Sequence, residues 1–267
     1  MSGRVGFMQG RLSPKPTDRI QAFPKDTWRE EFSRAKELGF DAIELIYDTL
    51  YLESNPLATS TGRHELVSLA ARNGVLLHSI CADYFMPCPL VDNFDRALEL
   101  LDIAADIGCP LVEFPFVGAS SLLKQRDRDG VAQALHRLLP YAEKKNLRLA
   151  LETDLTPVEF RDFLAPFPKN LVGANFDMGN SAIWGWDALA EARAYGDRII
   201  NVHIKDGVTG GSTVPVTTGH TDFERCFRAL KMCNYRGDFI LQTCPDTDYL
   251  GVAAKYLKMT REWSSAL

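Results

Sequence analysis

Four polar residues, each at the end of an apolar run, could together do chemistry in this 267-residue chain. They are Glu152 in LRLALET, Asp177 in VGANFDMGN, His203 in IINVHIKD and Gln242 in DFILQT. Two carboxylates, an imidazole and an amide oxygen form a ligand set for a divalent cation. The number of residues between one candidate and the next is about that of one strand plus one helix. If the runs are successive parallel strands, all four side chains reach the same end of one sheet.

Alternation within these runs supports that arrangement. Two positions before each polar residue stand Ala150, Asn175, Asn201 and Ile240. The opposite parity is bulky and apolar, as at Leu151, Phe176 and Val202. Because successive strand residues point to opposite faces, one face would pack against helices and the other would carry the candidate ligands. The alternative is a set of unrelated polar residues that face solvent, and four matching ends and parities argue against it.

The composition is that of a globular protein with a full core, 46% hydrophobic and 24% charged. A net charge of −5 argues against a nucleic-acid surface, which needs a basic stripe. The first ten residues lack the apolar segment of a signal peptide, and no run approaches the length of a membrane span. Six isolated cysteines without a Cys-x-x-Cys pair favour reduced thiols in a cytoplasmic protein.

Strand and helix patterns alternate eight times along the chain. The strand patterns are RVGFMQ, DAIELIY, LLHSICA, LVEFPFV, LRLALE, VGANFD, IINVHIK and DFILQT. Single helical patterns between them predict a right-handed parallel sheet, and eight units in about 250 residues suit a closed (β/α)8 TIM barrel. No linker divides the chain, so residues 1–267 are predicted to form one domain. An open doubly wound sheet is the alternative, but its Gly-x-Gly-x-x-Gly fingerprint does not follow the first strand.

With the four candidates on strands five to eight, the chain resembles the xylose isomerase-like TIM barrels. That superfamily includes sugar and sugar-phosphate isomerases, 3-epimerases, inosose dehydratase and a zinc endonuclease for abasic DNA. The most specific motifs are LET at 151–153, FDMGN at 176–180 and NVHIKD at 201–206. The resemblance implies that Glu152, Asp177, His203 and residue 242 bind one divalent metal ion, which could be Mn2+, Mg2+, Co2+ or Zn2+. Members usually carry Glu at the last position, so Gln242 is a departure.

Individual residues argue against the endonuclease branch. Its three-zinc centre needs further histidines, but position 180 is Asn where a histidine would be expected. His220 also lacks an aspartate two residues before it. We therefore expect a small-molecule carbohydrate substrate, no nucleic-acid partner and no membrane partner, and a homo-oligomer is left open.

Further polar residues are candidates for catalysis or substrate binding. His78 in LLHSICA could contact substrate or be a satisfied core histidine. Lys205, which shares the strand parity of His203, could hold an oxyanion or pair with a neighbouring acid. Glu113 in LVEFPFV is predicted to point inward, where a carboxylate needs a partner. Arg11 could clamp a phosphate or carboxylate through two hydrogen bonds, or be a solvated loop arginine.

Two more candidates follow the later strands. Asn180 in FDMGN is expected to bind substrate. The segment 207–221 is long and contains Gly210 and Gly211. Long loops at this end of a barrel often act as lids, and this one would carry His220 to the substrate.

The predicted function is a metal-dependent isomerase or epimerase of a small sugar, sugar phosphate or related hydroxy-carbonyl compound. The cation would acidify the carbon-bound proton and Glu152 would move it. A metal-dependent dehydratase and a non-catalytic carbohydrate-binding barrel are the alternatives. Because an amide has no useful pKa, Gln242 favours one-base 1,2-isomerisation or elimination over two-base epimerisation. A second base would have to come from His78, Glu113 or His220.

Overall fold

The computed structural model describes residues 3–15 and 19–265 and contains a closed barrel of eight parallel strands. The barrel strands are β1 (Val5–Met8), β2 (Ala42–Ile46), β3 (Leu76–Cys81), β4 (Leu111–Phe116), β5 (Arg148–Thr153), β6 (Val172–Asp177), β7 (Ile199–Ile204) and β10 (Phe239–Leu241). Two short strands between β7 and β10, β8 (Asp206–Gly207) and β9 (Thr213–Val214), form a separate hairpin. Parallel pairing of β1 with β10 closes the barrel. The predicted (β/α)8 fold is confirmed.

Helices follow the barrel strands and cover the outside. They are α1 (Glu30–Leu38), α2 (Ser60–Asn73), α3 (Phe94–Asp106), α4 (Gln125–Lys144), α5 (Pro157–Leu164), α6 (Met178–Trp184), α7 (Ala188–Tyr195), α8 (Phe223–Met232) and α9 (Tyr249–Ser264). The sixth unit has two helices where the sequence predicted one. Gly185 ends α6 in the left-handed conformation at φ 76°, and the Asp187 side chain then caps α7 by accepting from the Ala190 amide.

The barrel interior differs from the layer between strands and helices. The outer layer is one large apolar core, whereas the apolar cluster inside the barrel is small and consists of Met8, Ile46, Cys81 and Ile240. The rest of the interior is rich in buried carboxylates, amides and a histidine. Burying such groups costs free energy unless each finds a partner, so a polar interior of this kind indicates a functional site. No helix in the described part of the chain is long and apolar enough to cross a membrane.

Candidate metal and substrate site

Glu152, Asp177 and His203 meet at the carboxyl end of the barrel because β5, β6 and β7 are neighbours and Asp177 pairs with His203 in register. One possible ligand atom from each lies within 4.8 Å of the others. His203 Nδ1 is 3.5 Å from Glu152 Oε2 and 3.7 Å from Asp177 Oδ2. All three side chains are buried. Two oxygen donors and one nitrogen donor therefore converge on one point.

The electrostatics of these three residues fit a bound cation. Burial disfavours the charged imidazole, but Glu44, Asp177 and Glu152 outweigh it and hold the pKa of His203 well above its ordinary value. Several buried carboxylates thus surround one imidazole, and a divalent cation would supply the positive charge they lack. Mixed oxygen and nitrogen donors suit Mn2+, Mg2+, Co2+ or Zn2+.

Glu44 orients His203 from below. His203 Nε2 lies 2.8 Å from Glu44 Oε1, while Glu44 Oε2 accepts hydrogen bonds from Ser79 Oγ at 2.5 Å and Asn201 Nδ2 at 3.1 Å. A carboxylate on the far nitrogen fixes the ring and leaves Nδ1 to face a metal. We did not select Glu44 from the sequence. The available signal was a lone carboxylate inside the apolar strand FDAIEL.

Two amides fix the carboxylate of Glu152. Asn175 Nδ2 donates to Glu152 Oε2 at 2.6 Å, and Asn180 Nδ2 donates to Glu152 Oε1. The backbone amide of Asn180 also donates to Asp177 Oδ1 at 2.8 Å. Asn180 therefore lies within the site with its side chain on a candidate ligand, and its contact with substrate stays a prediction.

The carboxyl end of the barrel, where the strands open toward the candidate site, is called the mouth. Lys205 and Gln242 complete it on the side of Asp177. Lys205 Nζ is 3.2 Å from Asp177 Oδ2 and 3.1 Å from Gln242 Oε1. Burial lowers the pKa of Lys205, but Asp177 and Glu152 outweigh burial and raise it, so the side chain is an ammonium. The amide oxygen of Gln242 therefore lies beside the Asp177 carboxylate, where the fourth predicted ligand would be needed.

Arg11 lies across the mouth in the loop after β1, and it is buried with 6% of its surface exposed. The Glu31 carboxylate holds this loop by accepting from the amides of Gly10 at 2.8 Å and Leu12 at 3.0 Å. Within the part of the chain that the structure describes, the guanidinium makes one long hydrogen bond, 3.4 Å to Gln21 Oε1, and its Nε has no partner. Burial lowers the pKa of Arg11 to about 10. The solvated-loop alternative does not describe this residue.

Glu113 lies deeper in the barrel and points inward as predicted. It pairs in register with Cys81 on one side and Ala150 on the other, two residues below Glu152. Neither of its oxygens has a hydrogen-bond partner in the described chain, since the nearby Cys81 thiol donates to Asp83 Oδ1 at 3.3 Å. Burial, together with the charge of Glu152, raises the pKa of Glu113 well above its ordinary value.

The structure does not bring His78 to these donors. Its Nδ1 lies 3.2 Å from Asp238, which immediately precedes β10, and its Nε2 lies 3.0 Å from Asn201 Oδ1. Asp238 stands at the amino end of its strand, whereas Gln242 lies just past the carboxyl end. His78 therefore faces the amino end of the barrel, away from the predicted substrate.

His220 is also kept from the donors. It is exposed, and its Nδ1 accepts from the Thr209 amide at 3.1 Å. The surrounding loop is pinned rather than open, because the buried Asp206 accepts from the amides of Gly207, Gly219 and Thr221. Together with the β8–β9 hairpin, these contacts leave His220 on the outer side of the loop.

Comparison with known proteins gives the family. A family model described as xylose isomerase-like TIM barrel matches residues 32–263, and the chain belongs to that family. An L-ribulose-5-phosphate 3-epimerase from Shigella flexneri is 28% identical over 247 residues, covering 83% of this chain and 84% of that protein. The predicted class, a sugar isomerase or epimerase, is confirmed at that level.

Solved structures agree with the fold. A xylose isomerase domain protein from Planctomyces limnophilus matches with a TM-score of 0.76 and 16% identity over 98% of both chains. A D-allulose 3-epimerase from a Methylomonas species, solved with D-allulose, matches with a TM-score of 0.73 and 18% identity over 98% of this chain and 97% of that one. At these identities the likeness concerns the barrel itself.

Proposed function

We propose that the protein is a metal-dependent epimerase or isomerase of a small ketose or ketose phosphate. Glu152, Asp177, His203 and Gln242 would hold one divalent cation. The observation that carries the proposal is the convergence of three buried donors around an imidazole whose far nitrogen is held by Glu44. When bound, the cation would polarise adjacent carbonyl and hydroxyl oxygens of the substrate and so acidify the proton on the carbon between them.

The side chains at the mouth have complementary tasks in this proposal. Glu152, fixed by the two amides, takes the carbon-bound proton. Lys205 holds the oxygen on which negative charge develops, because its ammonium is half-buried and already aligned by Asp177. Arg11 binds an anionic group at the far end of the substrate. The phosphate in the name of the Shigella relative's substrate supports this last assignment, as does the absence of a hydrogen-bond partner for Arg11 Nε in the described chain.

The cysteines bear on where this enzyme would work. All six are free thiols in the structure, three of them buried. Free thiols persist in a reducing compartment, which supports the proposal of a cytoplasmic enzyme.

Metal content and turnover test the proposal together. Wild type purified without chelator should carry about one divalent ion per chain. His203→Ala should lose most of that metal, because the substitution removes the only nitrogen donor among the four proposed ligands. His64→Ala, which removes an exposed histidine on α2, is the matched control and should keep the metal. Equal metal content in wild type and His203→Ala would contradict the site.

Turnover is measured by NMR with L-ribulose 5-phosphate, L-ribulose and D-allulose in the presence of Mn2+. At least one compound should be epimerised or isomerised by wild type and by His64→Ala. A metal-loaded wild type that converts none of them would contradict the activity while leaving the metal site intact.

A further inference from the structure

We propose that Asp83 is the second proton-transfer group of the site and that the reaction is inversion of a carbon next to the substrate carbonyl. This inference rests on the proposed function and deepens it. Gln242 leaves the eighth barrel strand without a group that can exchange a proton. Asp83 would supply that group from the turn that follows the third strand.

Strand register places Asp83 at the mouth. Cys81, the last residue of β3, pairs with Glu113, and Glu113 pairs with Ala150. These three residues therefore form one level of the barrel. Glu152 lies two residues beyond Ala150 on β5, and Asp83 lies two residues beyond Cys81, in the short 3-10 turn Asp83–Phe85 that follows β3. Both residues therefore lie at the carboxyl end of the barrel, past the level of Glu113.

Asp83 is held at both oxygens and remains within reach of a ligand. The Gln21 side-chain amide donates to Asp83 Oδ2, and the Cys81 thiol donates to Asp83 Oδ1. Gln21 in turn accepts the long hydrogen bond from Arg11. Asp83 is partly exposed, in contrast to the fully buried Glu113. A carboxyl group held at both oxygens beside the mouth is suited to proton exchange with a bound substrate.

The charged groups around Asp83 tune its protonation. Burial raises the pKa of Asp83 to about 6, the Gln21 and Cys81 hydrogen bonds lower it, and the charges of Asp48 and Glu152 raise it. Arg11 faces it from the loop after β1. A pKa near neutrality lets one group act as acid in one direction and as base in the other.

Other candidates for the second group fail on geometry. Glu113 lies one level deeper and has no surface exposed. Lys205 Nζ is already held by Asp177 and Gln242 on the other half of the mouth. His78 faces the amino end of the barrel, and His220 bonds Thr209 on the outer side of its loop. Asp83 is the candidate that remains.

The proton balance is simple. The Glu152 carboxylate takes the proton from the carbon next to the carbonyl, and the electrons of that bond form the enediolate of the substrate. The Asp83 carboxylic acid then gives its proton to the same carbon from the other face, which inverts the centre. Glu152 ends protonated and Asp83 ionised, and exchange of one proton with solvent restores the starting state. No oxidant or reductant is needed.

Asp83→Asn tests the assignment because it removes the proton but keeps the shape. Each epimer of a compound that wild type converts is incubated in D2O. Inversion should fall at least about a hundredfold, the lower range for loss of a general acid or base. Exchange of the substrate proton on the Glu152 face should stay within about tenfold of wild type, and only one epimer should exchange. Asp83→Glu should restore part of the inversion.

The pH profile separates proton transfer from a structural role. Inversion needs Glu152 and Asp83 to carry one proton between them. Because Asp83 loses its proton above about pH 6, the rate of inversion in wild type should fall as pH rises above that value. Exchange by Asp83→Asn should lack that fall. Asp187→Asn is the matched control, because asparagine also caps a helix and Asp187 caps α7 away from the mouth. It should leave inversion and exchange unchanged.

Several outcomes would overturn the role of Asp83. They are inversion by Asp83→Asn within tenfold of wild type, equal loss of exchange from both epimers, or a wild type that isomerises without inverting any centre. A wild type that converts none of the compounds named above instead contradicts the proposed function. The two failures are therefore distinguishable.

Discussion

The two halves of the barrel mouth differ in how their charges are met. On the half formed by β5, β6, β7 and β10, each charged group described above has a partner, as Lys205 has Asp177 and His203 has Glu152. On the half formed by β1 to β4, Arg11 Nε has no hydrogen-bond partner in the described chain. The first half is assembled to hold a cation. The second is left for the substrate to complete.

This difference matters because an unpartnered buried polar group costs about 1–3 kcal/mol. A fold retains such a cost where a ligand removes it. The metal half should therefore govern whether chemistry occurs at all, and the Arg11 half should govern which substrate is taken. The predictions below test that division.

The largest effect is expected from Glu152→Gln, on the metal half. In wild type, the side-chain amides of Asn175 and Asn180 both donate to the Glu152 carboxylate. The substitution removes the base and replaces one of the two accepting oxygens with an NH2 group that cannot accept a hydrogen bond. Turnover at saturating Mn2+ should fall by about 10²–10⁴-fold. The control is Glu99→Gln, an exposed carboxylate paired with Arg96 on α3. Activity of Glu152→Gln within tenfold of wild type would show that another group moves the proton.

Arg11→Met should change substrate choice rather than chemistry. A hydrogen bond to a charged group is worth about 1.5–3 kcal/mol, so KM for L-ribulose 5-phosphate should rise about ten- to a hundredfold. KM for L-ribulose should change little, because that sugar has no anion to lose. Arg126→Met, on the exposed start of α4, is the control. An equal rise for both sugars would make Arg11 a structural residue and would remove the contrast between the two halves.

Gln242→Glu should strengthen the metal half. The substitution adds a negative charge beside Asp177, in contact with Lys205. Attraction between close charges at a protein surface is worth a few kcal/mol before screening, so Mn2+ affinity should rise on the order of tenfold. The measurement is competition with a fluorescent chelator, with Gln125→Glu at the exposed start of α4 as the control. An unchanged affinity would mean that residue 242 is not a ligand.

The sequence predicted the metal half better than the Arg11 half for a physical reason. The pairing of β6 with β7 also has a register shift, between Ala174 and Asn175, but it lies before Asn175 and Asn201. From those residues to Asp177 and His203 the alternation is unbroken, so the positions of the polar strand ends can be read from parity and spacing. At β2 and β3 a β-bulge interrupts the register between Ile43 and Glu44, and His78 is the residue it adds. A bulge changes which way later side chains point, and no single strand pattern contains it. Asp83 lies just beyond that bulged strand.

The smallest effect on function is expected from a substitution of Glu191, which lies on α7 outside the mouth. Its carboxyl group has an unpartnered oxygen, so the substitution tests whether such a group has only a structural role when it lies away from the site. Its Oε1 accepts from Ser181 Oγ at 2.9 Å and Tyr195 Oη at 2.6 Å, while Oε2 has no partner in the described chain. Burial raises the pKa of Glu191 from 4.5 to about 7. Below pH 4.5 the folded and unfolded states are both protonated, so this residue adds no pH-dependent cost there. As pH rises from 4.5 to 7, the unfolded state ionises first and the fold is destabilised, and above pH 7 the cost is constant at about 3 kcal/mol.

Glu191→Gln should therefore raise the free energy of unfolding by up to about 3 kcal/mol at pH 8 and by less than about 1 kcal/mol at pH 5. Urea unfolding at the two pH values measures this difference, and turnover should stay at the wild-type level because Glu191 touches neither donors nor mouth. Glu224→Gln, in the first turn of α8, is the control and should show no pH-dependent gain. A loss of turnover at unchanged stability would mean that a buried carboxyl group without a full set of hydrogen-bond partners can serve function outside the mouth as well. The division between the two halves of the mouth would then not account for such groups.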